Sequence, residues 1–238
     1  MSRISCAVFV ILISCLLVKS GSADDKPAAP DQTPADEKPA QTVKGFGDVI
    51  DPDGDCQIQE QIKVTITVPK TTHDLALNPE YTKQNAPRIT QDVKGDFSLA
   101  IKVDAFPIPK PKTSSNGRFS HVGAGLLIWQ DDKNYIRMER SSEGDTQSRF
   151  VMIECYQDGI KMYKKHDDIE DKNTYLRVTR SGDNFTFESG EDGQDWTKLT
   201  TEEVKLAEQL KVGIAAVNTT TEEFSSTFQV PKPIQSEK

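Results

Sequence analysis

The strongest signal along the chain is alternation with a period of two. In "QIKVTITVP", Ile62, Val64, Ile66 and Val68 alternate with Lys63, Thr65 and Thr67. In "DFSLAIKVDAF", Phe97, Leu99, Ile101 and Val103 alternate with polar or small partners. Further β-rich runs follow: "AGLLIW", "NYIRMER", "RFVMIECY", "YLRVTRSG", "NFTFESG", "LKVGIAAVN" and "EFSSTFQV", each bounded by Gly, Asp, Asn or Pro. Side chains two apart share one face of a strand, so such runs mark strands with a buried side. Asp158-Gly159, Asp192-Gly193 and the "SGDN" of 181–184 supply turn chemistry. Only "TEEVKLAEQL" has helical flavour, and it is read as a short helix or a loop. About nine or ten strands at this spacing predict an all-β fold, a two-sheet antiparallel sandwich.

The ends fall outside this pattern. Arg3 precedes the apolar run "ISCAVFVILISCLLV", and small residues Gly21 and Ala23 close it. This is the layout of a secretory signal peptide over residues 1–23, cleaved after Ala23. The run is short of the roughly 20 apolar residues of a membrane span. The alternative is a bacterial lipoprotein box, "LISC" ending at Cys15, which would leave the apolar "LLVKSGS" as a tether. Either way the expected location is secreted, periplasmic or cell envelope. Residues 24–44 hold Pro, Ala and charge with almost no large apolar side chain, the composition of an extended linker. The domain is expected over 45–231, with a tail at 232–238. Two segments within it are longer than a hairpin needs: 72–89, and 107–121. Loops of this kind on a β scaffold either cross between sheets or carry function.

Composition narrows the possible partners. There are 29 Lys+Arg against 37 Asp+Glu, a net charge of −8, and loss of Arg3 and Lys19 with the leader makes it −10. An acidic chain without a basic cluster is a poor reader of nucleic acid or anionic lipid. Of four Cys, Cys6 and Cys15 belong to the leader. Cys56 and Cys155 remain; export permits a disulfide, while the alternation of Cys155 with Val151 and Ile153 favours a buried thiol. No cofactor is expected. "DPDGDC" opens like a calcium loop through Asp51, Asp53 and Asp55, but Cys56 and Ile62 stand where an EF-hand needs Gly and Glu. Asn184 and Asn218 fit glycosylation acceptor patterns. "SGEDGQDW" at 189–196 reads as a structural turn with Trp196 packed beneath it.

Several phrases carry a resemblance when taken in order: "VPKTTHDL", "NAPRITQDVKGDFSLAIKV", "AGLLIWQDDKNYIRMER", "YLRVTRSGDNFTFESGEDGQDWTKL" and "LKVGIAAVN" followed by "FSSTFQ". The chain resembles the concanavalin A-like lectin/glucanase superfamily over nearly all of 45–231. More narrowly it is similar to the "regulation of enolase protein-like" domain of unknown function, and to the sandwich module of some β-xylosidases. The resemblance implies a jelly roll with one concave, often sugar-binding sheet. It implies no reaction.

The hairpin at 124–140 supplies the candidate site. If Ile136 and Met138 point inward, then Tyr135, Arg137 and Glu139 point outward, with Trp129 across the turn. By the same parity Tyr175 and Arg177 point outward beside Leu176 and Val178. Were these strands to share a concave sheet, the face would join flat rings to guanidinium–carboxylate pairs, which suits an oligo- or polysaccharide. Cross-strand pairs that merely stabilise a wet sheet give the same pattern. His73, Asp74 and Arg88 form a second group, in which Arg88 either clamps a carboxylate ligand or pins the loop through Asp74. Catalysis has little support. There is no Glu-x-Asp-x-x-Glu run and no G-x-S-x-G elbow, although Glu139 and Glu154 are placed to face each other on adjacent strands. The expectation is a non-catalytic, carbohydrate-binding sandwich. The alternatives are an envelope protein-interaction or structural module and, behind it, an unrecognised glycoside hydrolase.

Overall fold

The alternating runs assemble into two antiparallel sheets. The structure, a computed structural model, describes residues 41–77, 83–117 and 119–229, and of residues 163–167 it describes the backbone alone. The expected leader and C-terminal tail lie outside the described residues, as does the linker up to residue 40. The strands are β1 (Thr42–Val43), β2 (Gly47–Ile50), β3 (Gln57–Glu60), β4 (Val64–Val68) and β5 (Arg88–Lys94). Then come β6 (Phe97–Val103), β7 (His121–Asp131), β8 (Asn134–Glu143), β9 (Ser148–Gln157) and β10 (Ile160–Asp168). The last are β11 (Thr174–Ser181), β12 (Asn184–Gly190), β13 (Thr197–Glu203), β14 (Gln209–Asn218) and β15 (Phe224–Gln229). One sheet has the order β1-β2-β5-β14-β7-β8-β9-β10 and the other β13-β12-β11-β6-β15-β4-β3. No helix occurs among the described residues.

Parity fixes the core between the sheets. From the eight-stranded sheet come Leu126, Ile128, Ile136, Met138, Val151, Ile153, Val212 and Ile214. From the other come Ile66, Val68, Leu99, Ile101, Leu176, Val178, Phe185, Phe187 and Phe228. Ile136 and Met138 do point inward.

Four details depart from the sequence reading. The folded part begins before residue 45: Val43 is buried, and β1 pairs with β2. Ile62 does not continue the β4 alternation. It sits in the β3–β4 turn and is 94% exposed. The stretch with helical flavour forms the end of β13 and an extended connection to β14, with Val204 and Leu206 buried in the core. Asn218 is fully buried, and its side-chain amide donates to the carbonyls of Pro69 (2.9 Å) and Glu222 (2.8 Å), so it offers no surface to a glycan. Cys56 and Cys155 are both buried in the core and both free.

Candidate functional site

The outer face of the eight-stranded sheet carries the aromatic and charged residues in register. Trp129 on β7 lies opposite Tyr135 on β8, Tyr135 opposite Tyr156 on β9, and Tyr156 opposite Lys161 on β10. Their rings stack: Trp129 on Tyr135 at 5.1 Å and Tyr135 on Tyr156 at 4.4 Å. A cation closes each end, with Arg88 4.6 Å over the Trp129 ring and Lys161 5.3 Å from the Tyr156 ring. Such contacts follow the ring quadrupoles. In the next row Arg137 lies opposite Glu154, and beyond that Glu139 lies opposite Met152.

This face is not an open trough. Residues 72–77 and 83–88 fold down on it, and Leu75, Ala86, Leu127, Trp129, Tyr135, Tyr156, Ala215 and Val217 make a second small core. The Tyr135 hydroxyl donates to the Leu75 carbonyl (2.5 Å), and the Gln84 side chain donates to the same oxygen (3.1 Å). His73 and Asn218 exchange backbone hydrogen bonds of 2.7 and 2.9 Å, which fasten the segment to β14. Trp129, Tyr135, Arg137, Glu139 and Arg88 are accordingly buried, not a solvent-facing row. Parity was read correctly; the cover was not, because nothing in the strands encodes it. Arg88 also does not pair with Asp74. It lies over Trp129 and donates to the Ala86 carbonyl at 3.5 Å.

The residue that pins the cover is Arg137. Its Nε and Nη2 donate to Glu154 Oε2 (2.9 and 2.6 Å), and its Nη1 donates to Asp74 Oδ1 (3.3 Å) and Glu139 Oε1 (3.5 Å). Lys161 donates to Glu154 Oε1 (2.6 Å), and the Tyr156 hydroxyl to Glu154 Oε2 (3.1 Å). Burial alone would lower the Arg137 guanidinium, but Glu139, Glu154 and Asp74 hold it well above its ordinary value. Burial alone would raise Glu154, yet Arg137 and Lys161 pull it well below the carboxylate range. Glu139 goes the other way. Burial outweighs Arg137, Glu154 and Asp74 reinforce it, and the group is pushed up to about 7. Glu139 Oε2 has no hydrogen-bond partner among the described residues, and it fits only because position 123 is glycine: a Cβ there would come within 2.5 Å of it. Carboxylates pushed apart in this way occur in acid–base pairs. Here both face one guanidinium instead of straddling an open gap, which is the geometry of a structural anchor.

Beside this cluster the face opens into a cavity of about 240 Å³. Asp74, Ala76, Arg137, Phe150, Met152, Glu154 and Lys161 line it, together with Asn116, Phe119, His121, Glu143 and Thr219 from the far side. The second long segment, 107–121, supplies that far wall. Its shape is held by Asp145, whose carboxylate accepts from the backbone N–H groups of Lys112 (2.9 Å) and Ser120 (2.8 Å), and these bonds hold it below the usual carboxylate range. Phe119 stands on the wall 60% exposed. The lining therefore mixes apolar side chains with carboxylate oxygens and an ammonium. The sequence reading missed Phe119, His121, Phe150, Met152 and Lys161 as lining residues. Met152 and Phe150 share the parity of Glu154 and were legible to that extent; Phe119 and Lys161 carried no signal.

Tyr175 and Arg177 belong elsewhere. They lie on β11, in the seven-stranded sheet, and do not share a face with β8. Arg177 pairs with Glu188 on β12 (2.6 and 2.8 Å) and its guanidinium lies 4.3 Å over the Trp196 ring. Tyr175 packs against Gly193 in the turn built on Asp192, which accepts from the N–H groups of Gln194 (2.8 Å) and Asp195 (3.0 Å). These are contacts that hold a hairpin.

A family model described as "Protein of unknown function (DUF1349)" matches residues 51–232. The chain belongs to the DUF1349 family. A search of curated proteins gave no match. Among solved structures, a functionally unknown protein from Saccharomyces cerevisiae superposes with a TM-score of 0.64 at 13% identity, over 83% of this chain and 100% of that one. The GH43 BlXynB protein from Bacillus licheniformis gives 0.51 at 15% identity, over 70% of this chain and 31% of its own length. A xylan β-1,4-xylosidase from Bacillus halodurans C-125 gives 0.50 at 14% identity, over 85% of this chain and 41% of its own. This chain thus shares an all-β, two-sheet sandwich fold with the yeast protein and with one part of each of the two larger chains.

Proposed function

We propose that this DUF1349 sandwich is a binding module that takes one sugar residue of an oligo- or polysaccharide into the cavity over its eight-stranded sheet. One observation carries the reading: the cavity lining joins apolar side chains, Phe119, Phe150 and Met152, to polar ones, Asp74, Glu154 and Lys161. A sugar ring has the same two characters, with C–H faces that lie on aromatic rings and hydroxyls that need fixed acceptors and donors. The volume lies near the small end of the ~300–1,000 Å³ typical of ligand sites, which fits one ring better than a long segment. The fold shared with parts of a GH43 protein and of a xylan β-1,4-xylosidase is in keeping with this, although at 14–15% identity it speaks for the fold only. The buried stack Trp129–Tyr135–Tyr156 supports the floor and does not touch the ligand.

The test is a glycan array followed by calorimetry on neutral plant and bacterial oligosaccharides, with Phe119→Ala and Lys161→Ala as rim variants. Phe119 is exposed, and its variant keeps the fold; Lys161 also contacts the buried Glu154, so circular dichroism checks that variant before it is titrated. The expected result is a neutral-glycan hit that each variant weakens at least about 10-fold, roughly 1.4 kcal/mol. An array without hits, or hits that ignore both changes, refutes the reading. We propose in addition that the chain is exported and reaches its ligand outside the cytoplasm; N-terminal sequencing of the protein from a secreting host should start at Asp24. Retention with an intact Met1 would refute export.

A further inference from the structure

Away from the cavity, the loop between β2 and β3 meets the start of the covering segment at a group of side chains the saccharide reading does not use. Cys56 Sγ, Asp55 carboxylate and a His73 ring nitrogen lie within 4.8 Å of one another. His73 is buried, and both its nitrogens face oxygen. Nδ1 is 3.1 Å from the Thr71 carbonyl and Nε2 is 2.9 Å from Asp55 Oδ1. The Thr71 hydroxyl lies 3.4 Å from the same nitrogen, but the nearer carbonyl only accepts, which favours the hydrogen on Nδ1. A neutral ring then points the lone pair of Nε2 at a carboxylate oxygen, lone pair against lone pair. Something positive belongs between them.

A second ring proton would meet the need, but the surroundings suit a metal ion better. Asp53 Oδ2 lies 3.9 Å from the same Nε2, and Cys56 Sγ lies 3.7 Å from the same Asp55 oxygen. Within the group of Asp55, Cys56 and His73, whose donor atoms all lie within 4.8 Å of one another, the separations of 2.9 and 3.7 Å lie to either side of the ~3.3 Å short edge of a tetrahedron with bonds of ~2.0–2.3 Å. The group is braced by its surroundings. The Thr71 carbonyl fixes the tautomer of His73, and the Asn85 side chain donates to Asp53 Oδ2 at 2.6 Å. Asp51 accepts from the backbone N–H groups of Gly54 (3.2 Å) and Cys56 (3.0 Å), which sets the turn. Such supports accompany built metal sites. Asp51 is thereby spent on the turn, and a thiol and an imidazole are not donors that calcium prefers.

We propose that Asp55, Cys56 and His73 form a binding site for a single divalent transition-metal ion, with zinc the best match to one sulfur, one nitrogen and one oxygen donor and a fourth position open to water beside Asp53. The thiol gives up its proton on binding, and the ion joins the 51–56 loop to the segment whose next residue, Asp74, contacts Arg137.

The test uses the full chain, stripped with a chelator and titrated with zinc or cobalt(II), with magnesium and calcium as controls. The expected result is one equivalent bound, a raised thermal midpoint, and a thiolate-to-cobalt charge-transfer band. Cys56→Ser removes the band, while Cys155→Ser retains it. His73→Gln weakens zinc by more than ~100-fold, because loss of an outer partner alone costs about 10–100-fold. Circular dichroism checks each variant, and should either ligand variant not fold, Asp55→Asn is titrated instead and loses affinity. No uptake at micromolar metal, or a cobalt spectrum unchanged by Cys56→Ser, overturns the proposal. So does a His73 ring protonated on both nitrogens in zinc-saturated protein by NMR.

Discussion

Replacement of Arg137 by Met tests the electrostatic account of the covered face. Met keeps much of the stem's volume and removes the charge. In the native protein the guanidinium faces three carboxylates, Glu154, Asp74 and Glu139, at 2.6, 3.3 and 3.5 Å. An attraction between charge centres about 4 Å apart is worth roughly 4 kcal/mol at an effective dielectric of 20, and desolvation of the guanidinium offsets several kcal/mol of the total. Loss of one partner from such a buried group costs about 3–5 kcal/mol, because the remaining charges stay buried and uncompensated. For a domain of this size that lowers Tm by about 6–20 °C. The cost must depend on pH. At pH 8 the variant buries carboxylates without their cation; as the pH falls toward 4 these take up protons in the variant and part of the penalty goes, while native Glu154, held well below the carboxylate range, stays ionised against Arg137 and keeps the rest. The assay is urea denaturation of both proteins from pH 4 to 8, with the slope m checked for constancy. A loss of the same size at every pH would mean that Arg137 acts by packing, and the charge account would fail.

Three further outcomes follow from the same geometry. Glu139 is raised to about 7 in the folded protein, so its stabilising protonation is fully present below the ordinary carboxylate value and is lost as pH rises through 7. Glu139→Gln should therefore gain stability relative to the native protein between pH 5 and 8, by an amount on the order of a few kcal/mol, and parallel pH–stability curves would contradict this. Tyr135→Phe removes one donor from the Leu75 carbonyl, which keeps Gln84; the urea midpoint should report a loss of about 1 kcal/mol, and no loss would mean that the hydroxyl does not tether the cover. Arg177→Ala breaks a half-exposed pair with Glu188 and a contact with Trp196 on the opposite sheet, so it should cost about 0.5–1 kcal/mol in melting experiments and leave saccharide binding unchanged.

The strands were legible because burial on one side imposes period two, and Ile136 and Met138 show it directly. What covers the other side was not. The contacts that close it, Tyr135 to Leu75 and Arg137 to Asp74, span 60 and 63 residues, and the segment from Thr72 onward has no period of its own. The assignment of Tyr175 and Arg177 failed for a related reason. Parity says which side a residue takes within its strand but not which sheet the strand joins, and β11 pairs with β6 across a long stretch of chain. Glu154 was visible as a partner for the hairpin, while Phe119 on a loop and Lys161 on an edge strand had no pattern to betray them. The Cys56–His73 group is hidden in the same way, because its donors come from two segments that meet only in the fold.

The covering segment makes the middle of the eight-stranded sheet dry on both sides. Strands β7, β8 and β9 behave there like the central layer of a three-layer protein, so mutation should be punished at even and odd positions alike. The tolerant ground lies in the two long segments that wall the cavity. Diversification of ligand choice, by natural drift or in the laboratory, then has one economical route: exchange the walls and leave the floor alone.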